Sequence, residues 1–159
     1  MEKYNKAIEA IKNSSKESSI YVGVDSQVFS RRPKGKDKYR VAKYSVVILL
    51  HYDSSSGAGI IFQETVEMRE YGNLRQRLMN EVMMAAEAAI AVADYVGERN
   101  FEVHIDINPD EKHKSSIAVK EAIGYITGQL GFAPKVKPDS FAATHCSDHI
   151  VKGKMEISS

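Results

Sequence analysis

After Met68 the hydrophobic pattern of the chain changes period, and this change constrains the fold more than any other feature. Before it, three runs have strand character. Residues 20–25 (IYVGVD) are β-branched and aromatic, 41–52 (VAKYSVVILLHY) are apolar on both faces in their second half, and 59–68 (GIIFQETVEM) alternate. A polar loop over 30–40 and a turn over 53–57 join them, and such short connections predict an antiparallel meander. Beyond it, Leu74, Leu78, Val82, Ala85, Ala86, Ala89 and Val92 recur at helical spacing up to about Val96, before Gly97. Asn73 is placed to cap this helix, with Gln76 as the reciprocal partner of a capping box. Residues 101–107 predict a fourth strand, 115–130 a helix stopped by Gly131, and 133–136 a short fifth strand. A last helix begins around Ser140. Tyr4, Ala7, Ile8 and Ile11 add a short amphipathic helix at the N-terminus, which the polar stretch 13–19 breaks.

The predicted order is β-β-β-α-β-α-β-α behind one N-terminal helix. It implies an α/β fold with a five-stranded mixed sheet, in which three antiparallel strands precede parallel βα units and helices cover both faces. A length of 159 residues suits one domain over 1–159, with a helix and loop over 1–18 and a core over 20–152.

Composition acts mainly by exclusion. Twenty-two Lys and Arg against 21 Asp and Glu leave +1, so only local patches can point to a partner. The single Cys146 rules out an internal disulfide and a multi-cysteine zinc or iron–sulfur site, and fits a reducing, cytoplasmic setting. The N-terminus has no apolar signal stretch, and no apolar run reaches the roughly 18 residues that span a bilayer, so no membrane association is expected.

Four carboxylates fall at the ends of predicted elements or beside apolar neighbours. Asp25 closes the first strand in GVDSQ. Glu81 lies in RLMNEV with Leu78 and Ala85 on its own helix face. Asp106 ends the fourth strand in HIDINPD, and Asp148 sits in the last helix. Carboxylates near apolar surroundings are costly unless compensated. A hard divalent cation, Mg²⁺ or Mn²⁺, is a natural compensator because it takes oxygen ligands and keeps positions open for phosphate and water. Two such ions side by side can cleave a phosphodiester. The competing reading is structural: Asp25 caps a turn, Glu81 pairs with Arg75 or Arg77, and Asp148 caps a helix.

On these residues the sequence resembles the ribonuclease-H-like superfamily. Through GVDSQ, RLMNEV, HIDINPD and KPDSFAATHCSDH it is similar to the YkuK-type family of ribonuclease-H-like nucleases, from about Ile20 to Ile150. The resemblance implies a two-metal site of Asp25, Glu81, Asp106 and Asp148, catalytic and metal-holding together. Asp110 is a substitute ligand for Asp106, and Asp139 a further acidic residue at the same end. Where family members often read Ala-Asp, this chain reads Cys146-Ser147-Asp148.

Residues 31–43 hold seven Lys or Arg against one Asp. Arg31, Arg32, Lys34, Lys36, Lys38 and Arg40 form a basic loop suited to the phosphate backbone of RNA, DNA or a hybrid, or to solvent alone. His145 and His149, spaced i, i+4, make a zinc half-site without a third protein ligand. Either is also placed to move a proton near the carboxylates. The sequence therefore points to a metal-dependent nuclease. The alternatives are a non-catalytic nucleic-acid-binding or regulatory protein on the same fold, and a partner protein whose carboxylates are only caps.

Overall fold

The structure is a computed structural model that describes residues 2–52, 57–105 and 115–135. A 3₁₀ turn at Glu2–Tyr4 leads into α1 (Asn5–Asn13). Three strands follow, β1 (Ser19–Arg31), β2 (Tyr39–His51) and β3 (Ala58–Arg69). Then come α2 (Leu74–Ala93), β4 (Asn100–Ile105) and α3 (Ser115–Leu130). The sheet order is β3-β2-β1-β4, with β1 antiparallel to β2, β2 antiparallel to β3, and β4 parallel to β1.

The meander is present, but its first hairpin is longer than the local pattern predicts. β1 runs past Asp25 to Arg31 because β2 offers a partner for every residue, from Ser19↔His51 to Arg31↔Tyr39. Asp25 is therefore mid-strand rather than strand-ending, and the expected loop over 30–40 shrinks to 32–38. Within it Lys36 N–H donates to the Pro33 carbonyl at 3.0 Å, and Gly35 supplies the positive φ of +75° that this tight turn requires.

Among the described residues the sheet has four strands, not the expected five. The fifth segment contributes a single bridge, with Lys135 N–H donating to Val103 O at 2.7 Å and Ile105 N–H donating to Lys135 O at 3.0 Å. Gly131, at φ +82°, ends α3 only three residues before Pro134, a residue with no N–H to give a ladder. The expected last helix lies outside the described residues.

All three described helices bury their apolar faces on one side of the sheet, the near face. Ile20, Val22 and Val24 of β1 meet Ala85, Ala88, Ala89 and Val92 of α2, with Ala122 and Ile126 of α3 and Ile11 of α1 in the same cluster. Alanines let the helix lie close to the strands. Tyr4 stacks on Phe62 with centroids 4.5 Å apart and seats the N-terminal segment. On the far face Val47, Leu49 and Ile60 form a smaller cluster with Tyr21. Ile60 and Phe62 serve opposite faces because the β2–β3 register shifts at Ile48/Leu49, leaving Ile61 as an extra residue in β3.

The cap of α2 is half as predicted. Asn73 Oδ1 accepts from Gln76 N–H at 3.0 Å, yet the Gln76 side chain donates forward to Asn80 Oδ1 at 2.9 Å. Asn73 N–H, the group a capping box would satisfy with Gln76, donates to Glu70 Oε1 at 3.2 Å.

Candidate functional site

Asp25 is 9% exposed, and the register explains its position. The parallel ladder between β1 and β4 closes at Val24↔Ile105, so Asp25 is the first residue of β1 beyond it. Asp106 follows Ile105 in the chain and lies outside the described residues. Strand alternation sends Ile20, Val22 and Val24 to the near face and Asp25 to the far one. There its cross-strand partner is Ser45, which in turn pairs with Thr65. The Ser45 side chain is fully buried, and its Oγ has no hydrogen-bond partner among the described residues.

Glu81 is 3% exposed in α2, on the near side of the sheet. The two arginines that could have paired with it are engaged elsewhere: Arg75 with Glu121 at 2.6 Å and Arg77 with Glu70 at 3.6 Å. Glu81 does reach Tyr44 of β2 electrostatically. Burial pushes the Tyr44 phenol above its ordinary range, and the Glu81 charge adds to that while the hydrogen bond from Asn80 opposes it. Asp110 and Asp148 lie outside the described residues, as do Asp139, His145, Cys146 and His149. Among the described residues no three His, Cys, Asp or Glu side chains form a metal-ligating group.

The basic segment is the tip of the β1–β2 hairpin, an arm that β3 accompanies as far as Val41, not a free loop. Arg31 and Arg40 stand on the strands themselves. Arg31 Nη2 meets Glu67 Oε1 at 2.7 Å, and its guanidinium lies 5.1 Å from the Phe29 ring centre. Arg32, Lys34, Lys36 and Lys38 are exposed and make no ion pair among the described residues. No described helix is long and apolar enough to cross a membrane.

Sequence reasoning missed two groups. Ser45 carried a signal, as a small polar residue between Tyr44 and the apolar run VVILL. His104 carried none: it is fully buried in β4 beside Gly23, and its Nε2 lies 3.0 Å from Glu102 Oε1. Its ring meets that of Tyr21 edge-on, with centroids 5.3 Å apart. Partial burial works against the Glu102 charge, but hydrogen bonds from Asn100 and His104 outweigh it and hold this carboxyl below its usual range.

No curated protein and no solved structure matches the chain. A profile of the family described as ribonuclease H-like matches residues 2–152, nearly its whole length. That profile spans the meander, α2 with Glu81, and β4, and the mixed sheet is of the kind such a fold requires. The chain belongs to the ribonuclease H-like family.

Proposed function

We propose that the protein is a divalent-metal-dependent nuclease that hydrolyses phosphodiester bonds of nucleic acid. The observation that carries this reading is Asp25, a buried carboxylate placed where the parallel ladder stops, in a chain of the ribonuclease H-like family. The donors fit a hard cation: Asp25 and Glu81 are both at least nine-tenths buried and present carboxylate oxygens, the ligand type that Mg²⁺ and Mn²⁺ prefer. Asp106 and Asp148 would complete the set, with Asp110 as a substitute for Asp106. When bound, such ions supply an ionised water and neutralise charge on the leaving oxygen.

The chain itself does the binding and the placing. Asp25 stands on the far face of β1 and Glu81 on the near side of the sheet, and each would offer its carboxylate oxygens to a cation. The exposed cations of the arm hold the phosphate backbone without reading sequence. Backbone contacts of this kind serve RNA, DNA and hybrids alike.

A two-part experiment tests the reading. RNA, DNA and hybrid substrates are incubated with Mg²⁺ or Mn²⁺ and either the wild type or Asp25→Asn, and melting temperatures of both are taken with and without metal. Metal should raise the wild-type melting temperature through selective binding to the folded state, and the amide should abolish that rise together with cleavage. Equal metal responses in the two proteins would remove the metal site. Binding without cleavage by the wild type would leave a non-catalytic nucleic-acid-binding protein.

A further inference from the structure

Between the far end of β2 and β3 and the first turns of α2 lies a cavity of about 150 Å³, walled by Tyr44, Arg69, Tyr71, Arg77 and Asn80. Its size decides what it can hold. Pockets for whole small molecules begin at about 300 Å³, so this one suits a single group of a larger ligand. Its charge narrows the choice. Arg69 and Arg77 face one carboxylate, Glu70, whose side chain is 5% exposed and is already committed to the N–H groups of Gly72 and Asn73 at 2.8 and 3.2 Å. Two guanidiniums therefore line the cavity against one carboxylate, with the Glu81 charge behind Tyr44 outside the lining.

At its mouth Tyr71 is 85% exposed, the most exposed of the chain's large hydrophobic side chains among the described residues. An exposed tyrosine alone is ordinary. Here its neighbours give it a context. The Arg69 guanidinium lies 4.3 Å from the ring centre of Tyr39, at the root of the basic arm, and Asn80 in the opposite wall adjoins Glu81. The cavity thus stands between the arm and a candidate carboxylate.

Resting on the nuclease reading above, we infer that this cavity is a subsite for one unpaired nucleotide of the substrate, with the phosphate at Arg69 and Arg77 and the base stacked on Tyr71. Aromatic stacking needs a base whose face is free, which a single strand offers and a continuous duplex does not. Arginines beside an aromatic platform are the pairing that binds single strands irrespective of sequence. The substrate is therefore a single strand or a strand with frayed, unpaired nucleotides, with either sugar.

The test is binding in EDTA, which separates the subsite from metal chemistry. Anisotropy of labelled single-stranded RNA, single-stranded DNA and duplex is measured with the wild type, Tyr71→Ala, Tyr71→Phe and Arg69→Gln. Single strands should bind more tightly than duplex. Tyr71→Ala should lose about tenfold on single strands with duplex affinity unchanged, and Tyr71→Phe should retain wild-type binding. Arg69→Gln should lower the log–log salt slope on single strands by about 0.7. Unchanged single-strand affinity in Tyr71→Ala, or an equal loss on duplex, overturns the subsite. If the wild type cleaves nucleic acid and Tyr71→Ala behaves as wild type, only the subsite falls. If the wild type binds no nucleic acid, the nuclease reading falls with it.

Discussion

Ser45 sits fully buried opposite Asp25 with its hydroxyl unsatisfied among the described residues, and a buried hydroxyl without a partner costs about 1–3 kcal/mol. Ser45→Ala in EDTA should therefore be at least as stable as the wild type and up to about 1 kcal/mol more so, measured by urea denaturation. A loss exceeding about 1 kcal/mol would mean that the hydroxyl is bonded in solution. Glu102 offers a second measurement. Its carboxyl is held low in the folded protein, so its contribution is present above the unfolded value near 4.5 and is lost as pH falls through the lower folded one. Glu102→Gln should destabilise at pH 7 and converge on the wild type in acid. A stability gap that stays constant from pH 7 to pH 3 would disprove the link. The burial of Asp25 and Glu81 was legible because charge beside apolar neighbours is visible in one dimension. Ser45 and His104 gain meaning only from what the register sets beside them, Asp25 in one case and Gly23 in the other.

At the scale of elements, what was legible is what is local. The bounds of α3 and the cap at Asn73 follow from residues within a few positions of each other. The length of the first hairpin does not, because residues 26–31 owe their extension to pairing with 39–44. That pairing converts a basic loop into an arm and splits its cations into two kinds. Arg31 is spent on Glu67, while Arg32, Lys34, Lys36 and Lys38 remain exposed. Replacing those last four with Ser should lower the salt slope of nucleic-acid binding by about 3, at about 0.7–0.9 per lost contact, with little change in stability. Arg31→Ser alone should change the slope far less. An unaltered slope in the fourfold variant would assign the arm to solvent.

Across the whole molecule, the N-terminal segment is tied to the core from both ends. Lys3 reaches Glu64 of β3 and Glu87 of α2 at 3.2 and 3.3 Å, exposed pairs that contribute little. The stronger tie is Arg99, before β4, which donates to Ser14 O at 2.7 Å, Ser15 O at 3.1 Å and Ser14 Oγ at 3.0 Å. Arg99→Ala should cost about 2 kcal/mol in urea denaturation, since several hydrogen bonds from a charged donor are lost together. A cost below about 0.5 kcal/mol would show that α1 is held by its apolar face alone. The alternating stretch 59–68 gave no hint of the extra residue Ile61, because a bulge leaves the count of apolar positions untouched. Yet β3 is an outer strand of the described sheet, and a long regular outer strand is a template for other chains. The bulge twists it and puts its outer amides out of step halfway along, while Glu64, Glu67 and Arg69 charge its second half. A stray strand seeking to pair there finds no straight row to follow, so the same residue that lets Ile60 and Phe62 serve two cores also guards the protein against aggregation along this edge.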